Sequence, residues 1–115
     1  MKTSELTGYL LDWAVGKCEG LTIESDWWDW DRLCFVDEFN VDFEPTDNWM
    51  QGGAIIEREI IGLDYDAAEG WQARDFDTQQ ITATGKTPLE AAMRCYVASK
   101  LGDQVEVPDE LISHA

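Results

Sequence analysis

The sequence predicts an α+β domain, in which an antiparallel sheet of three to four strands packs against an N-terminal and a C-terminal amphipathic helix. Two observations predict this class. Apolar residues recur at helical spacing near both ends of the chain, and short segments with strand-like composition, separated by turn residues, lie between them. At 115 residues, of which 44% are hydrophobic, the chain fits a single domain, residues 1–115, with one modest core.

The first predicted element is a helix with one apolar face. That face consists of Leu6, Tyr9, Leu10, Trp13, Ala14 and Cys18. Thr3 or Ser4 can cap its beginning, and Gly20 can end it in the left-handed conformation. Gly8 and Gly16 lie inside the helix and weaken it, so packing against the rest of the domain must stabilise it.

Four segments are predicted strands. They are "RLCFVDEF" (32–39), "AIIEREII" (54–61), "GWQARDF" (70–76) and "QQITATG" (79–85). The last three form an antiparallel meander, and the first is a candidate fourth strand. "EPTDNWMQGG" predicts a loop or short helix, in which the pair Gly52 and Gly53 is typical of a turn. "GLDYDAAEG" predicts a polar turn.

The clearest element is the helix of "TPLEAAMRCYVASKLG". Thr87 is its predicted N-cap, Pro88 takes the first helical position, and Glu90 completes a capping box. Its apolar stripe consists of Leu89, Ala92, Met93, Tyr96, Val97 and Leu101. Gly102 ends the helix. The tail "QVEVP" is a candidate edge strand that Pro108 terminates.

Three segments together resemble the NinX-like family of small proteins of tailed phages and prophages: "ELTGYLLDWAVGKCEG", "PTDNWMQGGAIIERE" and "GKTPLEAAMRCYVASKLGDQVEVP". The resemblance covers about half of the chain. It implies a phage accessory protein with a layout similar to an α-β-α sandwich, whose activity is not established for the family, and it brings no catalytic residues with it. Between Leu21 and Phe43 the sequence departs from the family pattern, with more tryptophan and more acidic residues.

Charge is the strongest global signal, with 24 acidic residues against 8 Lys and Arg and a formal net charge of −16. Half of that charge lies in residues 24–47, where Arg32 is the one base. The nine acids there are Glu24, Asp26, Asp29, Asp31, Asp37, Glu38, Asp42, Glu44 and Asp47. Binding to nucleic acid or to an anionic membrane is disfavoured, because phosphate binding depends on Lys and Arg. A partner with a basic surface is favoured instead.

An acidic, tryptophan-rich segment at about residues 21–47 is the predicted partner-binding site. It contains Trp27, Trp28 and Trp30, with Asp26, Asp29 and Asp31 between and beside them. Strand geometry would place Trp28 and Trp30 on one face, whereas helix geometry would pair Trp27 with Trp30. Burying one indole contributes up to roughly 4–6 kcal/mol. Two exposed like charges about 7 Å apart repel by only about 0.6 kcal/mol in water. At least two of the rings should therefore be covered, either by the core of the domain or by another chain.

Catalytic and metal sites are disfavoured by the residue pattern. The single histidine, His114, lies near the C-terminus, where chains are usually frayed, so a Ser–His or Cys–His pair is not expected. The acidic runs do not have the spacing of a calcium loop. The three cysteines lie far apart and are expected to be buried free thiols. We therefore expect no cofactor and no functional metal.

These observations favour a non-enzymatic phage accessory protein that binds a host or phage protein with a basic surface. DNA mimicry is a sharper variant, in which carboxylates lie in two rows at about the spacing of phosphates. The alternative is a domain that binds a small ligand or nucleotide through Trp and Arg side chains, with Trp49, Trp71, Arg58, Arg74 and Arg94 as candidates. Exposed tryptophan could also form a homodimer interface.

No apolar run is long enough to cross a bilayer and no signal-peptide core is evident, so a location in the host cytoplasm is expected.

Overall fold

The structure, a computed structural model, describes residues 1–76 and 81–114. A 3₁₀ turn at Thr3–Glu5 comes first. The elements that follow are α1 (Gly8–Cys18), β1 (Trp28–Asp29), β2 (Cys34–Val36), β3 (Asp42–Phe43), α2 (Trp49–Glu59), β4 (Ile61–Asp66), β5 (Gly70–Asp75), β6 (Thr82–Gly85), α3 (Pro88–Leu101) and α4 (Asp109–Ile112). The predicted α+β class is confirmed.

The strands form two antiparallel sheets of three strands each, in the orders β1-β2-β3 and β4-β5-β6. The second sheet is the predicted meander, and its register sets Leu63 opposite Ala73 and Ala73 opposite Ala83. Ala73 is fully buried, whereas the outward-facing Arg74 and Thr82 are exposed. The β2 strand confirms the prediction for "RLCFVDEF", but it belongs to the first sheet and is not a fourth strand of the meander.

Helix α3 begins and ends as its sequence predicts. The Thr87 hydroxyl accepts a hydrogen bond from the Glu90 amide at 3.0 Å, and Pro88 occupies the first turn. The Glu90 carboxylate accepts from the Lys86 amide, one residue before the cap, so the capping box is a displaced form of the usual one. Gly102 ends the helix with a φ of 86°.

Helix α3 is buried on two sides, because the meander packs on one side and α1 and α2 on the other. On the sheet side, a Cβ at Gly85 would lie 2.5 Å from the Ala91 amide nitrogen, so strand and helix are in close contact. On the helical side, the Leu89 side chain packs against Gly52 of α2. The buried residues of α3 are Leu89, Ala91, Ala92, Met93, Cys95, Tyr96 and Val97.

The prediction of a strand at residues 54–61 is wrong. Helix α2 extends to Glu59, and of these residues only Ile61 belongs to a strand. The Asn48 side chain caps α2 by accepting hydrogen bonds from the amides of Met50 and Gln51. The glycine pair lies inside this helix rather than in a turn. The helix ends at Ile60 in the left-handed conformation (φ 54°), which is unusual for a β-branched residue. Strand β4 follows at once and takes up much of the predicted polar turn "GLDYDAAEG".

Helix α1 begins later than predicted, at Gly8, and neither Thr3 nor Ser4 caps it. Leu6 is fully buried but precedes the helix. At the far end, Gly20 adopts a φ of 90°, as predicted. Gly16 is required by a close approach, since a Cβ there would lie 2.5 Å from Cε2 of Phe35. This contact joins the first sheet to α1.

The tail does not form the predicted edge strand. It makes one antiparallel bridge between Lys2 and Gln104, and the Val105 amide donates to the Met1 carbonyl at 2.8 Å. Of the predicted strand at 79–85, residues 79 and 80 lie outside the described residues. Within the described ranges, none of the helices has the length and apolar character needed to cross a membrane.

The neighbouring glycines of α2 should respond in opposite directions to alanine. Gly53→Ala should raise the free energy of unfolding by about 0.5–1 kcal/mol, because alanine favours a helix interior and the nearest neighbour is Trp49 Cε3 at 3.9 Å. Gly52→Ala should lower it by about 1–3 kcal/mol, because its Cβ would collide with the Pro45 carbonyl oxygen and lie 2.6 Å from Leu89 Cδ2. Urea denaturation measures both changes. Effects of equal sign and size would contradict the packing of α2.

Candidate functional site

The three tryptophans of the acidic segment have three different environments. Trp27 is 59% exposed, Trp30 is 38% exposed, and Trp28 is largely covered. The Trp28 ring packs edge-on against Phe35, with centroids 4.9 Å apart, and against Trp30 at 5.8 Å. The pairing of Trp28 with Trp30 follows the strand alternative for this segment. His114, expected in a frayed tail, lies with its ring 5.6 Å from that of Trp30.

The Trp28 side chain is held by packing alone. Its indole Nε1 is buried and has no hydrogen-bond partner among the described residues. Through Phe35 the ring is linked to Gly16 of α1 and hence to the core. The covered ring therefore holds β1 in place and leaves its neighbour Trp27 pointing outward.

The predicted aspartates mainly shape the backbone. Asp29 Oδ1 accepts from the amides of Asp31 and Arg32 at 2.9 and 3.2 Å, which forms the turn between β1 and β2. Asp26 Oδ2 accepts from the Thr22 amide at 2.7 Å. The Arg32 guanidinium is held by Asp42 at 3.0 Å and lies 3.8 Å from Asp29.

A groove of about 430 Å³ lies beside the first sheet, and Trp27 and Asp26 are on its wall. Its lining consists of Leu21, Asp26, Trp27, Phe35, Val36, Asp37, Glu38, Val41, Phe43 and Gln51. Six of these are apolar, three are acidic and one is an amide, so the lining carries no basic side chain. The structure therefore separates the predicted site: Asp26 and Trp27 line this groove, whereas Trp28, Trp30, Asp29 and Asp31 are not among its lining residues. We call it the Trp27 groove.

One wall of the Trp27 groove is a hairpin tip that the sequence reasoning missed. Asp37 Oδ1 accepts from the amides of Phe39 and Val41 at 2.8 and 2.9 Å, and the Asp37 amide donates to the Val41 carbonyl. Asn40 adopts a φ of 62° in this turn. At this tip, Phe39 is 78% exposed. The signal was an Asp followed by Asn at turn spacing within an apolar segment.

A second concave surface is an acidic cleft of about 390 Å³ between α1 and the segment that precedes α2. Its carboxylates are Asp12, Asp42, Glu44, Asp47 and Glu90, and Arg32 is also present. Asp12 is 7% exposed, and its Oδ1 accepts from the Thr46 hydroxyl and amide at 2.7 and 3.0 Å. Burial raises the pKa of Asp12 to about 6; the Thr46 hydrogen bonds lower it in part, and Glu44 and Asp47 raise it further.

The arginines proposed for small-ligand binding are largely engaged elsewhere. Arg58 makes two hydrogen bonds to Glu19, both 3.0 Å, and pairs with Glu59 at 2.9 Å. Arg94 donates to the carbonyls of Leu6 and Thr84, each at 2.9 Å, and contacts Glu90 at 3.3 Å. These two side chains join helices and strands to each other.

The remaining candidates of that alternative do not meet in one cavity, although Trp71 and Arg74 are both on β5. Arg74 is exposed on β5 and lines a shallow cavity on the outer face of the meander. Trp71 packs edge-on against Tyr65 with centroids 5.2 Å apart, and Trp49 is exposed at the beginning of α2. The outer-face cavity contains Arg74 but neither tryptophan.

The three cysteines are free thiols, with Cys34 and Cys95 buried and Cys18 half-buried. Burial raises the pKa of the Cys18 thiol to about 12 and those of Cys34 and Cys95 to about 11, so each is protonated and poorly nucleophilic at neutral pH. Within the part of the chain that the structure describes, no three His, Cys, Asp or Glu side chains are placed to hold a metal ion.

The fold and these surfaces define a small acidic α+β protein with carboxylate-lined concave surfaces. The chain belongs to the NinX family of phage proteins: the family model described as "Bacteriophage P22, NinX" matches residues 2–100. The resemblance indicated by the three sequence segments is thereby confirmed, and the matched range includes the acidic tryptophan-rich segment. A comparison with curated proteins finds no matching sequence.

The neighbouring tryptophans Trp27 and Trp28 should differ sharply in their contribution to stability. Trp28→Ala should lower the free energy of unfolding by about 2–4 kcal/mol, because it removes the ring packed on Phe35. Trp27→Ala should change it by less than about 1 kcal/mol, because that ring is mostly exposed. Chemical denaturation followed by circular dichroism measures both. A larger loss for Trp27→Ala than for Trp28→Ala would contradict the arrangement.

Asp12 should make the protein less stable as the pH rises. Its pKa is about 6 in the folded state against an ordinary value of 3.8, so the folded chain retains a proton that the unfolded chain has released. This contribution is fully present below about pH 4 and is lost as the pH passes through 6. The free energy of unfolding of Asp12→Asn, taken relative to that of wild type, should therefore rise by about 2 kcal/mol between about pH 4.5 and pH 7.5.

Denaturation at several pH values measures this difference. Asparagine keeps an oxygen for the Thr46 donors, so the variant isolates the charge. The same substitution at the exposed residue Asp64, Asp64→Asn, serves as the matched control. A difference between Asp12→Asn and wild type that stays constant with pH would contradict the burial of Asp12.

Proposed function

We propose that this phage protein is a non-enzymatic accessory protein that acts in the host cytoplasm by binding a host or phage protein with a basic surface. The observation that carries the proposal is the Trp27 groove, in which apolar side chains and three carboxylates line one concave surface with no basic side chain among them. Protein interfaces combine an apolar centre with a polar rim, and tryptophan is enriched where binding energy concentrates.

The distribution of charge supports a basic partner. Residues 24–47 carry a net charge of −8, half of the total of −16. A concentrated negative field accelerates encounter with positive partners and repels nucleic acid and anionic lipid. Arg32 neutralises little of the charge at the groove, because its guanidinium is paired with Asp42 and Asp29.

Affinity capture from a host lysate tests this proposal, with the wild-type chain and a charge variant, Asp26→Asn/Asp37→Asn/Glu38→Gln. Asparagine keeps the acceptor oxygens used by Asp26 and Asp37, so the fold should persist. The captured proteins should have basic surfaces. They should be retained at about 0.15 M salt and lost progressively as salt rises towards about 1 M, where the screening length falls from about 8 Å to about 3 Å. The variant should capture them poorly.

A matched control removes the same charge from the β4–β5 hairpin, as Asp64→Asn/Asp66→Asn/Glu69→Gln, and should capture as well as wild type. Captured proteins without a basic bias, or equal loss in the two variants, would count against the proposal. A captured set dominated by nucleic-acid-binding proteins would favour its DNA-mimicry form.

A further inference from the structure

We infer that the Trp27 groove receives a segment of the partner in which an arginine stacks on Trp27 and a neighbouring apolar side chain enters the groove. This inference rests on the proposed function and deepens it, because it names the surface and the contact chemistry. The groove volume of about 430 Å³ lies within the range of about 300–1,000 Å³ that is usual for ligand pockets.

Trp27 is a pre-positioned receptor for a guanidinium group. Its carbonyl accepts from the Val36 amide at 2.7 Å, and the next residue's amide donates to the Asp26 carbonyl at 2.8 Å, so the backbone on both sides is fixed. Trp27 as a whole is 59% exposed. Arginine suits this position better than lysine, because its planar and weakly hydrated cation stacks on an aromatic face.

The carboxylates of the groove are available to a cation. Asp26, Asp37 and Glu38 form no ion pair with any other described residue. The Asp37 Oδ1 atom is occupied by the Phe39 and Val41 amides, which leaves Oδ2 for a partner. A guanidinium on Trp27 would thus meet acceptors without displacing an existing cation.

A partner that binds through charge alone would not cover the apolar part of the groove. Leu21, Val41 and Phe43 line it beside Trp27, and Phe39 projects from the hairpin tip next to it. A purely basic, strongly hydrated segment would leave these side chains uncovered. A segment that carries both arginine and apolar residues covers them and gains hydrophobic free energy as well.

Charge complementarity selects this occupant over a second copy of the chain or a membrane. Two copies would bring together grooves that each carry three carboxylates, on chains of net charge −16 each. An anionic membrane surface would be repelled for the same reason. A basic and apolar peptide segment has neither conflict.

Titration with defined peptides tests the inference. The probe is a short peptide in which arginine alternates with leucine; the comparison peptides replace every arginine by glutamate or every leucine by glycine. Calorimetry on the full chain should show binding of the arginine–leucine peptide and much weaker binding of the other two. Trp27→Ala should weaken that binding by about tenfold or more. Trp49→Ala, which removes an exposed tryptophan of α2, should leave it unchanged.

Each outcome bears on the inference separately from the proposed function. Equal weakening by Trp27→Ala and Trp49→Ala, or equal binding of the glycine peptide, would overturn the docking of an arginine–apolar segment in the groove. The inference would then fail, while capture of basic proteins could still support the proposed function. Analytical ultracentrifugation tests the remaining alternative, a second copy of the chain. If wild type is a dimer and Trp27→Ala is a monomer, the groove is an interface between copies and the inference is overturned.

Discussion

The contact between the Phe35 ring and Gly16 of α1 determines where the acidic segment lies. The first sheet has strands of only two or three residues, too short to be stable alone. It is held because Phe35 is buried against α1 and Trp28 packs on Phe35 in turn. With one indole turned inward by this contact, its neighbour Trp27 faces solvent. The aromatic composition of the segment thus serves two purposes at once, since one ring is part of the packing and another remains accessible.

Much of the fold could be predicted from local chemistry. Helix α3 is specified by a cap, a proline and a terminal glycine that act within a few residues of one another, and the meander strands β5 and β6 have the expected composition. Helix α2 could not be predicted in the same way. Its isoleucines favour a strand and its glycines favour a turn, yet Gly52 is needed because the Pro45 carbonyl and Leu89 leave no space for a side chain there. That requirement arises from tertiary packing and leaves no mark in the local sequence.

The candidate site could be predicted only in outline. Composition located the acidic segment, but it could not distinguish a carboxylate that closes a turn, such as Asp29, from one that faces a groove, such as Glu38. It also overlooked the hairpin tip that exposes Phe39. Spacing along the chain gives the direction of a side chain only while a strand stays regular, and here β1 and β3 are two residues long. The groove exists because irregular turns, each stabilised by an aspartate, join these short strands.

The position of α3 along the chain has a consequence for synthesis. Helix α3, on which the meander, α1 and α2 pack, spans residues 88–101, so it leaves the ribosome after α1, α2 and the strands β1 to β6 have emerged. Until then the apolar faces of α1 and of the meander lack their common partner, and the nascent chain exposes them. Its high negative charge keeps such chains apart by mutual repulsion during that interval.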